Sequence, residues 1–271
     1  FEERAKIIEK FRGFLKADHK IKDGEDVAVC GEPKTIELKN VSFTYPGNDK
    51  PTLKNINLII HPKEKIALVG YNGAGKTTLT NLLLRLYDVT EGQILIDGED
   101  IRSVNVQSHR DRFSAVFQDF QIFSASLGEN VALDVDYDKG RVLSSLSHSG
   151  FDKKLKNSTE TELLREFDDN GAMLSGGESQ KVAVARTFYK NCPYAILDEP
   201  SANLDPVAEH NLNQAMIEAS DDKTVIFISH RLSTTVNADK IYVMENGEII
   251  EQGSHEELMN QGGTYAYMFN L

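Results

Sequence analysis

Ile66-Ala67-Leu68-Val69-Gly70-Tyr71-Asn72-Gly73-Ala74-Gly75-Lys76-Thr77-Thr78 is the stretch that decides the fold. Four apolar residues, Ile66–Val69, run as a short strand directly into a glycine-rich turn, and a helical pattern over Lys76–Leu86 follows. From Gly70 to Thr77 the turn reads G-x-x-x-x-G-K-[ST], a phosphate-binding loop in the setting it requires. Gly70, Gly73 and Gly75, with Asn72 between them, let the backbone curl so that successive N–H groups face one centre. The helix N-terminus adds its positive end. Lys76 reaches the outer phosphates of a nucleotide as a point charge. The Thr77 hydroxyl suits Mg²⁺, and Thr78 beside it suits a phosphate oxygen.

Such a site needs a carboxylate for the metal. Tyr194–Leu197 is an apolar strand ending in Asp198 and Glu199, which alternation turns to different sides. Asp198 fits the Mg²⁺ side, and Glu199 fits the orientation or activation of an attacking water. On their own the two acids would equally serve to cap a helix; behind a phosphate loop the metal reading is preferred. His230, just past the strand Thr224–Ser229, is placed to meet a terminal phosphate, although a strand-end histidine alone would read as a surface residue.

Strands and helices alternate around these motifs. Ile36, Leu38 and Val41, continued by Phe43 and Tyr45, and Leu53–Ile60 read as strands, as do Ile94–Asp97, Ile241–Met244 and Glu248–Ile250. A helix is expected over about 206–219, and the stretch 121–190 is largely helical. The fold class is therefore α/β, with a buried parallel sheet and a helical insertion.

Composition narrows the class further. In 271 residues, 30 Lys and Arg face 42 Asp and Glu, a formal net charge of −12, with 40% hydrophobic and 27% charged residues. This is an ordinary globular chain, and its acidity argues against a nucleic-acid partner. No run of eighteen apolar residues occurs, which excludes a membrane-spanning helix within the chain as given. Cys30 and Cys192 make neither a disulfide framework nor a metal knuckle. The chain starts at Phe1 without Met, as expected of a domain cut from something longer. Residues 1–22 carry +3, leaving −15 for the rest. Ile7, Ile8, Phe11, Phe14 and Leu15 give that basic segment a helical apolar stripe, suited either to its own domain or to a connector beside a membrane. Residues 22–34 read as a linker.

Together these pieces resemble the ATP-binding cassette family, and the decisive string is Leu174-Ser175-Gly176-Gly177-Glu178. The resemblance runs from about Thr35 to the C-terminus. It implies a P-loop NTPase (RecA-like) core with an antiparallel β subdomain and an α-helical subdomain inserted at about 119–186. Residues 1–34 would then be a connector helix and linker, and residues 35–271 the nucleotide-binding domain. ATP and Mg²⁺ are the implied cofactors. Tyr45 resembles the aromatic residue that stacks on adenine, with a core tyrosine as the alternative. Gln118 resembles the glutamine at the hinge of the helical insertion, which senses Mg²⁺ and water. Ser175, Gly176 and Gly177 would cap the γ-phosphate of ATP held by a second cassette. Asp205 resembles the loop joining the two sites, and His230 the residue that holds the γ-phosphate.

The implied assembly is a head-to-tail pair of cassettes, alike or related, with two ATP molecules between them. Ser229–Thr234, reading S-H-R-L-S-T, and Gly247–Leu258 are similar to exporter-type cassettes. That points to an Mg-dependent ATPase working with transmembrane domains at the cytoplasmic face of the cell membrane; a separate cytosolic subunit of an importer-like system is the alternative. A repair-type ATPase would want a long coiled coil, and only roughly a hundred residues separate Lys76 from Ser175. Two departures stand out. Arg165–Gly171 replaces the T-E-V-G-E-R-G common in exporters, with Asp169 at its second acid. Glu178 stands where Gln is commoner, a change expected to have little consequence.

Overall fold

The computed structural model describes residues 21–26, 31–167, 169–198, 222–228 and 232–270. Two sheets organise them. The first holds β1 (Ile36–Phe43), β2 (Leu53–Ile60), β4 (Glu91–Ile96) and β5 (Glu99–Asp100) in the antiparallel order β2-β1-β4-β5. The second holds β3 (Lys65–Val69), β6 (Phe113–Val116), β7 (Tyr194–Asp198), β8 (Thr224–Ile228), β9 (Lys240–Glu245) and β10 (Glu248–Gly253), ordered β10-β9-β3-β8-β7-β6. Every pairing in it is parallel except β9 with β10.

Burial explains why β3 reads as an unbroken apolar run. Ile66 and Leu68 pack with Leu79, Leu82 and Leu83 of α1 (Lys76–Leu83) on one face. Ala67 and Val69 face Leu258 of α6 (His255–Gln261) and Tyr265 of α7 (Thr264–Phe269) on the other. A strand covered on both sides has no solvent face to alternate with. In β1, Leu38 and Val41 are both buried although three residues apart. Asn40 at φ 50 supplies the bulge that changes the side-chain parity between them.

The helical pattern over Lys76–Leu86 ends earlier than its periodicity suggests, because α1 stops at Leu83. Arg85 takes a left-handed φ of 50 and the Leu86 amide bonds back to the Asn81 carbonyl at 2.8 Å, which closes the helix. The helices α2 (Val106–Asp111), α3 (Leu127–Ala132), α4 (Lys139–His148) and α5 (Gly176–Lys190) follow. Among the described residues between β6 and β7 lie only helices, turns and isolated bridges, so the expected helical insertion is present. Its core is Leu127, Val131, Val142, Leu146, Leu163, Val182 and Ala185. α5 belongs to two bodies at once. Val182 and Ala185 enter that helical core, while Ala183 and Val184 pack on Val116, Ala195 and Leu197 of the parallel sheet. β6 and α2 carried no distinct signal in the sequence.

Ile21–Asp26, at the start of the stretch read as a linker, lie against the folded body. The Glu25 amide donates to Ser103 O at 2.8 Å, and the Asn105 amide donates to Glu25 O at 2.7 Å. The connector helix expected before residue 21 and the helix expected over 206–219 fall outside the described residues, as does Cys30. Among the described residues no helix is long and apolar enough to cross a membrane.

Candidate nucleotide and metal site

Parallel register brings the site together. Leu68 of β3 pairs with Ile228 of β8, and Ile228 pairs with Asp198 of β7. Val116 of β6 pairs with Leu197. The carboxyl ends of these strands therefore lie side by side, the usual place for a ligand in an α/β sheet. The loop from Gly70 and Phe117-Gln118 leave from there, and Asp198 and Ile228 are the last residues of their strands.

A cavity of about 230 Å³ opens there. Thr52, Asn72, Gly73, Ala74, Gly75, Lys76, Thr77, Thr78, Gln118 and Ile228 line it. The loop geometry depends on glycine at two points. Gly70 sits at φ 147, where a Cβ would fall 2.2 Å from the Met244 carbonyl oxygen. Gly75, at φ 104, caps α1, and a Cβ there would strike Leu53 at 2.6 Å. Lys76 is 6% exposed and folds its ammonium over the loop, donating to Gly70 O at 2.7 Å and Tyr71 O at 3.2 Å. The α1 N-terminus and this ammonium give the cavity a positive floor.

The donor set also fits a hard divalent ion. Thr77 Oγ1 lies 3.4 Å from Asp198 Oδ2, so a hydroxyl and a carboxylate from two different elements meet at the rim. Asp198 is 5% exposed, at the end of β7. Tyr45, two residues past the end of β1, places its hydroxyl 3.1 Å from Thr78 Oγ1. Its ring stands edge-on against Phe43 at 4.8 Å and Tyr87 at 5.2 Å.

Ser175, Gly176 and Gly177 do not line the cavity; they form the exposed or half-exposed start of α5, on the helical body. Ser175 is the N-cap, its hydroxyl accepting from the Glu178 amide at 3.3 Å while Glu178 Oε2 accepts from the Ser175 amide at 2.7 Å. Glu199, Asp205 and His230 lie outside the described residues.

Sequence reasoning missed Thr52, Ile228 and Tyr87. Thr52 follows the proline of a turn and has no spacing relation to the phosphate loop. It enters the site because the Gly247 amide bonds to Ala74 O at 3.2 Å and the Lys54 amide to Gly247 O at 2.8 Å, joining the two sheets there. A larger groove of about 1050 Å³, flanked by Phe43, Leu86, Tyr87, Val106 and Arg110, contains none of the expected site residues.

Known proteins resemble this chain in sequence and fold. The family described as ABC transporter matches residues 53–202. The ATP-dependent lipid A-core flippase of Methylobacillus flagellatus is 42% identical over 240 residues, covering 87% of this chain and 40% of that protein. The flippase of the same name from Escherichia coli K12 is 37% identical over 241 residues, covering 87% of this chain and 41% of that protein. A solved structure of a bacterial Atm1-family ABC exporter with ATP bound superposes with a TM-score of 0.88 at 33% identity. It covers 97% of this chain and 46% of that one. The chain thus spans about two fifths of the length of the curated relatives it matches.

Proposed function

This chain belongs to the ABC transporter family and has its ATPase fold, and we propose that it binds Mg-ATP and hydrolyses it to drive export across a membrane. The observation that carries the reading is that Lys76 and Thr77 line the cavity at the start of α1, with Asp198 at the end of β7 within 3.4 Å of the Thr77 hydroxyl.

In this reading the amides of Gly73 to Thr78 and the Lys76 ammonium hold the β- and γ-phosphates. Tyr45 supports the base, and Thr78 a phosphate oxygen. Thr77, Asp198 and Gln118 would hold Mg²⁺, which when bound neutralises charge on the phosphates as they separate. Glu199 orients the attacking water and accepts its proton, and His230 holds the γ-phosphate and that water in line. Ser175, Gly176 and Gly177 close over the γ-phosphate of a second cassette, and Asp205 links the two sites. Each site is then complete only in a head-to-tail dimer, and hydrolysis releases the contact.

Export is favoured over an importer-like subunit because the relatives and the solved neighbour are a flippase and an exporter by name. Transmembrane domains as partners, and the cytoplasmic face of the membrane as location, follow from the same reading. ATPase assay of the chain and of Glu199→Gln tests it. Turnover should fall at least a hundredfold while ATP binding persists, since a positioned general base contributes about 10²–10⁴ in rate. Undiminished turnover in the variant would remove Glu199 from the mechanism.

A further inference from the structure

Glu178 places a carboxylate on the third residue of α5, in the same turn as Gly176 and Gly177. An acid there suits the helix N-terminus. It does not suit a loop that must receive a phosphate, because like charges a few ångströms apart repel strongly where water is partly excluded.

The structure answers that conflict with Lys153. Its ammonium donates to Glu178 Oε2 at 2.8 Å and to the Met173 carbonyl at 3.0 Å. One cation therefore grips the loop on both sides, just before Leu174 and just after the two glycines. The same Oε2 accepts from the Ser175 amide. The two side chains are 31% and 25% exposed, so the pair is better shielded than an open surface ion pair. Burial raises the Glu178 carboxyl, but the hydrogen bonds from Lys153 and from the Ser175 backbone outweigh it and hold the group below the usual range, so it is ionised at neutral pH. An added Cβ at Gly176 would meet no atom within 4 Å, which leaves the approach to the loop open.

We propose that Lys153 is a positioning residue for the Ser175–Gly177 loop. It cancels the Glu178 charge and braces the loop, so that the loop amides can take the terminal phosphate of a nucleotide held by a second copy of the chain. This rests on the function proposed above. It separates the cost of an acid at an anion-receiving helix end from the structural benefit of that acid as a capping partner.

The test uses ATP-dependent dimer formation, measured by sedimentation in the Glu199→Gln background, together with ATP affinity of the monomer. Lys153→Met should raise the ATP concentration needed for dimers about tenfold, while monomer affinity, set by the chain's own phosphate loop, changes less than twofold. Lys153→Arg should retain dimerisation. With Glu178→Gln added, the Lys153→Met effect should shrink to under threefold, because no charge remains to be cancelled. Unchanged dimerisation in Lys153→Met, or an equal loss with and without Glu178→Gln, would overturn the inference while leaving the function standing. Failure of the parent chain to dimerise with ATP would overturn the reading of the Ser175–Gly177 loop, and this inference with it.

Discussion

Replacing Arg85 by Met tests how the phosphate-loop helix is tied to the chain entering at residue 22. Arg85 is 1% exposed yet keeps all its donors occupied. Nη2 donates to Lys22 O at 2.6 Å and Arg102 O at 3.3 Å, Nη1 to Ile101 O at 2.9 Å and to Val104 O, and Nε to Asp88 Oδ1 at 3.1 Å. Met keeps most of the apolar stem and removes every donor. Ile101 O retains a long bond from the Val104 amide, and Asp88, 30% exposed, can turn to water. The Arg102 carbonyl loses only a 3.3 Å bond at an exposed residue, whereas those of Lys22 and Val104 lose a charged donor in a partly or fully buried setting. At about 1–3 kcal/mol for each buried group left unsatisfied, the loss comes to roughly 2–6 kcal/mol, and we expect about 4.

Urea denaturation followed by circular dichroism gives the stability change. Amide exchange at Glu25 and Asn105, whose bonds hold Ile21–Asp26 to the body, reports the local effect and should accelerate at least tenfold. Arg85→Lys should recover only part of the stability, since an ammonium has three donors and no planar fork. A change below about 1 kcal/mol with unaltered exchange would refute the reasoning: the clamp would then be incidental to both stability and the docking of residues 21–26.

Two further outcomes follow from the geometry. Gly70→Ala should cost at least tenfold in ATP affinity, measured by titration calorimetry, because the new Cβ meets a fixed strand carbonyl at 2.2 Å and the residue must keep φ 147. His109, fully buried, is pushed down to about 4 mainly by desolvation, against the hydrogen bond its Nε2 makes to Leu83 O at 2.7 Å; Arg112, Arg85 and Arg110 lower it further. The unfolded chain then binds this proton first, so His109 costs nothing above about pH 6.5, and the cost grows as pH falls, reaching roughly 3 kcal/mol below pH 4. Denaturation of wild type and His109→Gln at pH 7 and 4.5 isolates this from the carboxylates, and the wild type should lose more stability between the two.

The phosphate loop was legible in the sequence because its requirements are local. Strand, curled backbone and helix are consecutive, so Gly70 to Thr78 declare themselves by spacing alone. Ser175–Glu178 was legible through the family resemblance, and the structure adds that the stretch forms a capping box within one helical turn. The helical insertion was legible from periodicity, and Asp198 from its place at the end of an apolar strand. Which strands lie together was another matter. β6 is four residues long and became recognisable as part of the sheet only by pairing with β7, which delivers Gln118 to the cavity. The early end of α1 followed from Arg85 accepting a left-handed backbone in exchange for bonds to carbonyls far along the chain.

By itself, then, the sequence determined the local motifs: a phosphate-loop pattern, a strand-end acid and the Leu174–Glu178 string, all written in short stretches. Only the tertiary structure decided their partners. It set Thr77 against Asp198, Tyr45 over Thr78, and Lys153 against Glu178, contacts that join residues 121, 33 and 25 positions apart. Such contacts arise from strand order and from the packing of whole elements, which no local propensity encodes.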